Sequence, residues 1–276
     1  MTTNQLEKKF LKEAARKKRH IAVGIWRPDK EIINSLKKAK KYANLTIVGS
    51  KIKGFNCIDT KNDDEASKII VDLAVSKKVD GFVRAQLKDS FTHHLFVEKT
   101  GVNLDLKFVP LFMSKGDYWF AISNPSNYNS ITSEAQVSEA ERLAEYMQNN
   151  LKIKPKIAVM STRRPSGRVG EFKMLEEIAI KCEKTAEVLR KKGYDVKEYY
   201  IEYETAVLEK RNIMVGSSGM VCNTWLKGLA YLGDWKITHV PYLDQGAYYD
   251  DCPRNNKNWF WPIVSTVAWI NRENKK

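Results

Sequence analysis

Short apolar runs alternate with segments of helical periodicity along most of the chain, and this alternation limits the fold more than any other feature. The runs "IAVGIW", "LTIVGS" and "KIAVMS" have the length and composition of buried strands. Between such runs lie amphipathic stretches, for example "DKEIINSLKKAKKYA" and "NDDEASKIIVDLAVSKK". A repeated strand–helix–strand order predicts an α/β fold with mostly parallel sheets.

The chain has 276 residues, which is enough for one large domain or for two lobes. Residues 1–20 have the pattern of a basic N-terminal helix, and residues 21–276 are predicted to form the α/β domain. Turn-forming residues interrupt the periodic pattern near 125–132, where we expect a break if there are two lobes. One side of the first helix is apolar and is expected to pack: Leu6, Phe10, Leu11 and Ala14.

The net charge of +14 attracts polyanions, but many of the lysines lie on predicted helix faces where solvation is expected. We therefore keep a basic nucleic-acid-binding protein as a disfavoured alternative, which salt-dependent binding to RNA or DNA would test. No apolar run approaches the length that crosses a bilayer, so no membrane partner is expected.

Four cysteines are spread along the chain without a C-x-x-C pair: Cys57, Cys182, Cys222 and Cys252. This spacing argues against a zinc site and against a disulfide framework, so no metal is predicted. Reduced thiols are typical of an intracellular protein, and we predict a cytoplasmic location.

The stretch "IAVMSTRRPSGRVGEF" brings hydroxyls and guanidiniums together where a predicted strand meets a helix. In open α/β sheets, ligands bind beyond the carboxyl ends of the strands. Helix N–H groups and arginines both suit phosphate or carboxylate groups. The pattern therefore favours an anion site over a solvated basic loop, with these candidate residues: Ser161, Thr162, Arg163, Arg164, Ser166 and Arg168.

A second strand–helix junction occurs in "VGSSGMVCNTWLKGLAYLG". Its two glycines allow close approach of a ligand to the backbone, and the helix residues Asn223 and Lys227 share a face because they are four apart. A plain turn is an equal interpretation of this loop. The candidates in the loop itself are Ser217, Ser218 and Gly219.

Three further positions carry charge near predicted strand ends. Arg84 in "VDGFVRAQL" requires a carboxylate, an anion or solvent, and a salt bridge is as well supported as a ligand role. In "YYDDCPRNNKNW", Asp251 and Arg254 either pair, together with Asp250, or close a cleft over a charged substrate. Glu204 in "YIEYETAV" is the best lone carboxylate for acid–base work.

These segments, taken in order, resemble the phosphate acetyl/butyryl transferase superfamily and, within it, a methanogenesis marker family sometimes labelled a methyltransferase-related subunit. The similarity covers roughly the last two-thirds of the chain, from "VDGFVRAQL" to "AYYDDCPRN". It implies a Rossmann-like, two-lobed α/β sandwich with the site in a cleft, as in isocitrate and isopropylmalate dehydrogenases. It also implies an archaeal source and, since acyltransferases of this superfamily are commonly dimers, a homodimer.

The resemblance also assigns roles to residues. In the superfamily, the strand end that is matched here by Ser161, Thr162, Arg163 and Gly167 borders a cleft for phosphate and coenzyme A. Glu204 stands where the superfamily has an aspartate. The superfamily's Gly-Asn signature is matched in part by Gly219, Asn223 and Lys227, and its closing segment by Asp251 and Arg254.

Two main functional hypotheses follow from the resemblance. The first is a transferase of the phosphate acyltransferase type, in which Arg163 and Arg84 hold a phosphate or coenzyme A-type anion and Ser161 hydrogen-bonds the transferred group. The second is an accessory subunit of a methyltransferase in one-carbon metabolism, without acyltransferase activity. Pro165 in the glycine-rich turn, glutamate in place of aspartate and the stretched Gly-Asn spacing each weaken the transfer of the acetyltransferase reaction to this chain.

Overall fold

The protein is described by a computed structural model that covers residues 1–101, 111–123, 132–162, 164, 173–239, 241–244 and 247–273. The chain divides into two compact units. The central unit contains residues 1–4 and 108–237, and the flanking unit contains residues 5–107 and 238–276. The predicted break near 125–132 lies, apart from Thr132, outside the described residues.

The flanking unit is built on a six-stranded sheet with the strand order β11-β12-β4-β1-β2-β3. The strands β12, β4, β1, β2 and β3 run parallel to one another, and β11 pairs with β12 in antiparallel orientation. Its strands are β1 (Arg19–Ile25), β2 (Ala43–Gly49), β3 (Asn56–Asp59), β4 (Gly81–Val83), β11 (Pro241–Asp244) and β12 (Ala247–Asp250). Its helices are α1 (Thr3–Ala14, whose first two residues belong to the central unit), α2 (Lys30–Ala39), α3 (Asp63–Val75), α4 (Asp89–Thr100) and α9 (Phe260–Glu273).

The central unit is built on a second six-stranded sheet with the order β10-β5-β6-β9-β7-β8. An antiparallel hairpin joins β5 and β6, while β6, β9, β7 and β8 run parallel to one another. Its strands are β5 (Leu111–Lys115), β6 (Tyr118–Ile122), β7 (Ile157–Met160), β8 (Val196–Tyr200), β9 (Ile213–Val215) and β10 (Lys236–His239, whose last two residues belong to the flanking unit). Its helices are α5 (Ser133–Tyr146, continued by a π-helical turn at Met147–Leu151), α6 (Lys173–Lys191), α7 (Tyr203–Leu208) and α8 (Gly219–Leu232). The predicted α/β fold with mostly parallel sheets is confirmed.

Local sequence signals explain where several helices begin and end. The Asp29 carboxylate accepts the Ile32 N–H (2.8 Å) at the start of α2, and Asn62 accepts the Glu65 N–H (2.8 Å) at the start of α3. Gly193 follows α6 with a φ of +87°, a conformation that glycine adopts without the steric cost of a Cβ.

Two helices bury the apolar side that the 3.6-residue periodicity of their sequences indicates. On α1, Leu6, Phe10 and Ala14 are buried and Leu11 is half-buried. The inward face of α5 and its π-turn is also buried, through Val137, Ala140, Ala144 and Met147. Removing such apolar area from water is the main favourable contribution to folding.

Two local structures differ from what their sequence patterns favour. The run "VKEYYIEYE" has the composition of one strand, but β8 ends at Tyr200 and α7 begins at Tyr203. Tyr200, the last residue of β8, has a φ of +51°, and this left-handed conformation ends the extended backbone. Ser133 and Gln136 have the spacing of a capping box, but Thr132 caps α5 by accepting the Ala135 N–H (3.2 Å).

Candidate functional site

The carboxyl edge of the central sheet carries a row of buried serines. The three neighbouring parallel strands β6, β9 and β7 are followed by Ser123, by Gly216 and Ser217, and by Ser161. The three serines are 2–6% exposed. Since neighbouring strands are about 5 Å apart, this edge is a compact polar surface at the sheet position where α/β proteins bind ligands.

Ser161 is the strongest candidate in this row. Its N–H donates to the carbonyl of Tyr200 (2.8 Å), which fixes the residue at the end of β7. Its buried Oγ has no hydrogen-bond partner in the described part of the chain. One candidate partner is the nearby Cys182 thiol. Burial raises the pKa of that thiol, and interactions with Gln136 and Ser161 are among the effects that lower it. A thiol is a weak hydrogen-bond partner, so this hydroxyl is available to a ligand.

The second junction in the central unit is the loop from Gly216 to Gly219. Ser217 is buried, and the Ser218 hydroxyl caps α8 by accepting the Val221 N–H (3.3 Å). The remaining N–H groups of the first turn have no acceptor within the helix, so the start of α8 carries a partial positive charge. Further along α8, Asn223 is half-buried and Lys227 is exposed.

Gly216 is required in this loop by close packing. A Cβ built on it would lie 2.3 Å from the Sγ of Cys222, which is shorter than any normal contact. Burial raises the pKa of the Cys222 thiol to about 12. This cysteine is therefore a neutral packing group beneath the loop.

The other central-unit candidates are less clearly placed. The Thr162 hydroxyl donates to the carbonyl of Leu175 (3.0 Å), which uses it locally, and Arg164 is exposed. Glu204 is exposed in the first turn of α7 rather than at a strand end. Four predicted site residues lie outside the described residues: Arg163, Ser166, Gly167 and Arg168.

The flanking unit holds the remaining candidates, Arg84, Asp251 and Arg254. The Arg84 and Asp251 side chains are 4% and 6% exposed, and their ion pair joins the end of β4 to the segment after β12. Arg84 also donates to the carbonyls of Leu87 (2.5 Å) and Cys252 (3.1 Å), and Tyr249 Oη–H donates to Asp251 (2.9 Å).

This network fixes the charge of Arg84. Burial alone would lower the pKa of Arg84, but the Asp251 carboxylate, with Tyr249 and Asp89, raises it above its ordinary value. The salt-bridge alternative for Arg84 is thus present in the fold, and its ligand role stays a prediction. Arg254 does not pair with Asp251 in this structure and instead has its Nη2 3.7 Å from a carboxylate oxygen of Asp63.

A surface groove lies apart from these clusters. A groove of about 440 Å³ in the flanking unit contains no predicted site residue and is lined by Glu31, Asn34, Ser35, Lys38, Asn258, Phe260 and Trp261. Within the described ranges, no group of three or more His, Cys, Asp or Glu side chains is arranged to hold a metal ion. No helix among those residues is long and apolar enough to cross a membrane.

Curated proteins are similar to this chain in sequence over most of its length. No family model matches the chain. A protein of Methanosarcina mazei named "Putative methyltransferase mtx subunit X" is 26% identical over 267 residues, covering 93% of this chain and 92% of its own length. A protein of the same name from Methanosarcina barkeri is 25% identical, with 93% and 96% coverage. The chain is thus similar over most of its length to proteins named as mtx subunit X.

Solved structures agree with the fold that the resemblance to phosphate acyltransferases implies. The EutD phosphotransacetylase from Staphylococcus aureus superposes with a TM-score of 0.64 at 13% identity, covering 100% of both chains. At this identity the likeness concerns the fold alone. The chain therefore has a fold similar to that of a phosphotransacetylase, as the sequence resemblance implied.

Sequence reasoning missed three residues of the central cluster. Ser123 follows the apolar run "YWFAIS" and was detectable by the same rule that selected Ser161. Gln136, interpreted as part of a helix cap, has its side chain buried against Gly216 and Thr185. Cys222 gave no signal, because its contact with Gly216 depends on the packing of α8.

Proposed function

We propose that the central unit binds an anionic ligand of the phosphate or coenzyme A type at the carboxyl edge of its sheet, as a phosphate acyltransferase-like protein. The observation that carries this proposal is the buried, unsatisfied hydroxyl of Ser161, which lies at the sheet edge where α/β folds bind ligands. An unsatisfied buried hydroxyl is rare in folded proteins, and a ligand oxygen would satisfy it.

The surrounding groups suit an anion. Ser161 Oγ–H would donate to a ligand oxygen, and the free N–H groups at the start of α8 would face its negative charge. The predicted Arg163, Arg164 and Arg168 would neutralise a phosphate or diphosphate. Bound coenzyme A would supply a thiol or thioester, and the chain's own residues would orient the reacting groups and stabilise charge.

Catalytic roles for individual residues are part of the proposal. Ser161 would hydrogen-bond the transferred group, and Arg163 would stabilise developing charge on the phosphate. Glu204 has the exposure needed for proton exchange with solvent on the neighbouring helix α7. Arg84 does not enter this proposal, because Asp251 already compensates its charge.

The test is a thermal-shift titration with inorganic phosphate, coenzyme A, acetyl-coenzyme A and acetyl phosphate. A ligand at a hundred times its Kd adds about 2.7 kcal/mol to the stability of the native state. We expect stabilisation by one of these anions, and its loss in Ser161→Ala and Arg163→Ala. Ser138→Ala, at an exposed serine of the same unit, is the matched control. If none of the four raises the unfolding temperature of the unmodified protein, the proposal is wrong.

A second function, an accessory subunit of a methyltransferase, is favoured by a different observation. Apart from Lys227, α8 carries no charged residue, yet Met220 and Leu232 on it are 61% and 89% exposed. Leu208 on α7 is 77% exposed. Exposed apolar side chains form a protein-binding surface where they lie together, and the relatives are named as subunits. The exposed side of α8 around Leu232 would take either a methyltransferase subunit or a second copy in a homodimer.

Leu232→Glu separates this second function from the first. We expect the charged variant to lose association in analytical ultracentrifugation while keeping the thermal response to anions. A wild-type chain that sediments as a monomer at all accessible concentrations, alone and with methyltransferase subunits, would contradict the partner hypothesis.

A further inference from the structure

The side chain of Gln136 leaves the surface of α5 and enters the core beneath the candidate site. The residue is 4% exposed, although it lies in the first turn of the helix, where glutamine is usually solvated. Capping does not explain this burial, because Thr132 performs the capping of α5. A buried amide needs partners for both its donor and its acceptor groups.

Those partners fix the orientation of the amide. Gln136 Nε2 donates to the carbonyl of Gly216 (2.9 Å), and Gln136 Oε1 lies 2.7 Å from the Thr185 hydroxyl. The Gly216 carbonyl can only accept, so the NH₂ group must face it and the amide oxygen must face Thr185. Thr185 is fully buried on α6. The amide thus connects α5, α6 and the loop after β9 through defined hydrogen bonds.

Gly216 is also held from its other side. Its missing Cβ leaves space for the Cys222 Sγ, which a side chain at this position would approach to 2.3 Å. The glycine is therefore confined between the Gln136 amide and the Cys222 thiol. Ser217 and the first turn of α8 follow it directly, so the position of Gly216 sets where those groups lie.

We propose that Gln136 is the positioning residue of the anion site, holding the Gly216–Ser217 segment and the start of α8 at the sheet edge beside Ser161. This inference rests on the proposed function for the identity of the ligand, but its structural part does not depend on any ligand. Without the Gln136 hydrogen bond, the buried Gly216 carbonyl would lose its side-chain donor, and the loop would move to solvate it.

The experiment replaces Gln136 with methionine, which has similar length and tolerates irregular packing but forms neither hydrogen bond. Gln148→Met is the matched control, because Gln148 is exposed in the same unit. The first measurement is the rate at which N-ethylmaleimide labels Cys222, followed by peptide mass spectrometry. The buried Cys252 of the flanking unit serves as an internal reference. We expect about tenfold faster labelling of Cys222 in Gln136→Met, and no change at Cys252 or in Gln148→Met.

The second measurement is the affinity for acetyl phosphate and for inorganic phosphate, by calorimetry. We expect Gln136→Met to weaken binding by about tenfold while the thermal unfolding temperature without ligand falls only slightly. A residue that merely stabilised the fold would lower the unfolding temperature without this selective effect on Cys222 and on the anion.

The outcomes separate the two proposals. If the wild-type protein binds none of the four anions of the thermal-shift test but Cys222 labelling rises in Gln136→Met, the proposed ligand is wrong and the positioning role stands. If Cys222 is labelled at the wild-type rate in Gln136→Met, the positioning role is wrong whatever the phosphate result. Should Gln136→Met fail to fold, Gln136→Leu, which likewise removes the hydrogen bond to Gly216, replaces it under the same criteria.

Discussion

The two units place polar residues at the carboxyl ends of their strands in opposite ways. In the flanking unit, Arg84 and Asp251 are charged, buried and paired with each other. The Arg84 guanidinium also donates hydrogen bonds to two backbone carbonyls. In the central unit, Ser161 is neutral and buried and has no hydrogen-bond partner in the described residues. Each cluster adjoins a non-glycine residue with positive φ, Ala85 at 53° and Tyr200 at 51°.

This contrast indicates which cluster is structural and which is available for binding. A closed network of charges holds its own backbone segments together and leaves little for a ligand to gain. An unsatisfied hydroxyl gains a hydrogen bond when a ligand binds, which is a direct source of affinity. The more conspicuous residue in the sequence, the arginine, therefore belongs to the less available cluster.

The largest effect is expected from breaking the hydrogen-bonded network around Arg84 and Asp251. Asp251→Ala leaves Arg84 buried without its counter-charge and should destabilise the flanking unit by about 3–5 kcal/mol. Urea unfolding followed by circular dichroism measures this change. The double variant Arg84→Met/Asp251→Ala should recover much of the loss, because it removes the unpaired charge. Arg254→Ala, whose side chain is half exposed, should change stability by no more than about 0.5 kcal/mol.

A smaller effect is expected where packing defines the central loop. Gly216→Ala places a methyl group against the Cys222 thiol and should cost about 1–3 kcal/mol. Removal of the sulfur in Gly216→Ala/Cys222→Ala should restore part of that stability, which a double-mutant cycle measures as coupling. Strictly additive losses would mean that the two residues do not share this space.

Ser161→Ala tests the serine cluster at the carboxyl edge of the central sheet. Because the hydroxyl lacks a partner, its removal should leave the free energy of unfolding unchanged or raise it by up to about 1 kcal/mol. Thr185→Val, which loses a satisfied buried hydroxyl, should instead lower stability by about 1–3 kcal/mol. Equal destabilisation by both variants would show that Ser161 is already hydrogen-bonded and that the contrast between the units is wrong.

The smallest effect concerns a charge pair at the surface. At the start of α5, a hydrogen bond from the backbone N–H of Glu134 itself, followed by Lys184 and Ser133, lowers the pKa of the Glu134 carboxyl to about 2. A lowered folded-state pKa stabilises the protein above the unfolded pKa and is lost as the pH falls through the folded value. Glu134→Gln should therefore be slightly less stable than wild type at neutral pH, with the difference disappearing toward pH 2. A difference as large as that of Asp251→Ala would contradict the view that burial makes ion pairs important.

The sequence predicted the fold better than the site. Periodicity located β1, β2, β7 and most helices, since a strand or helix with one buried face must repeat its apolar residues at a fixed interval. It extended the strand after Val196 too far, because the left-handed backbone at Tyr200 leaves no periodic trace. The rule that ligands bind beyond strand ends selected Ser161, Ser217 and Ser218, and Ser161 is the residue with the unsatisfied hydroxyl.

What the sequence determined by itself is the α/β class, the positions of most helices and of the longer strands, and the family resemblance, because these depend on local patterns and on segments in a fixed order. The tertiary structure decided that Arg84 pairs with Asp251, 167 positions away, and that Gln136 supports Gly216, 80 positions away. Hydrogen bonds between distant segments depend on how helices and strands pack in three dimensions. No pattern of neighbouring residues encodes that packing.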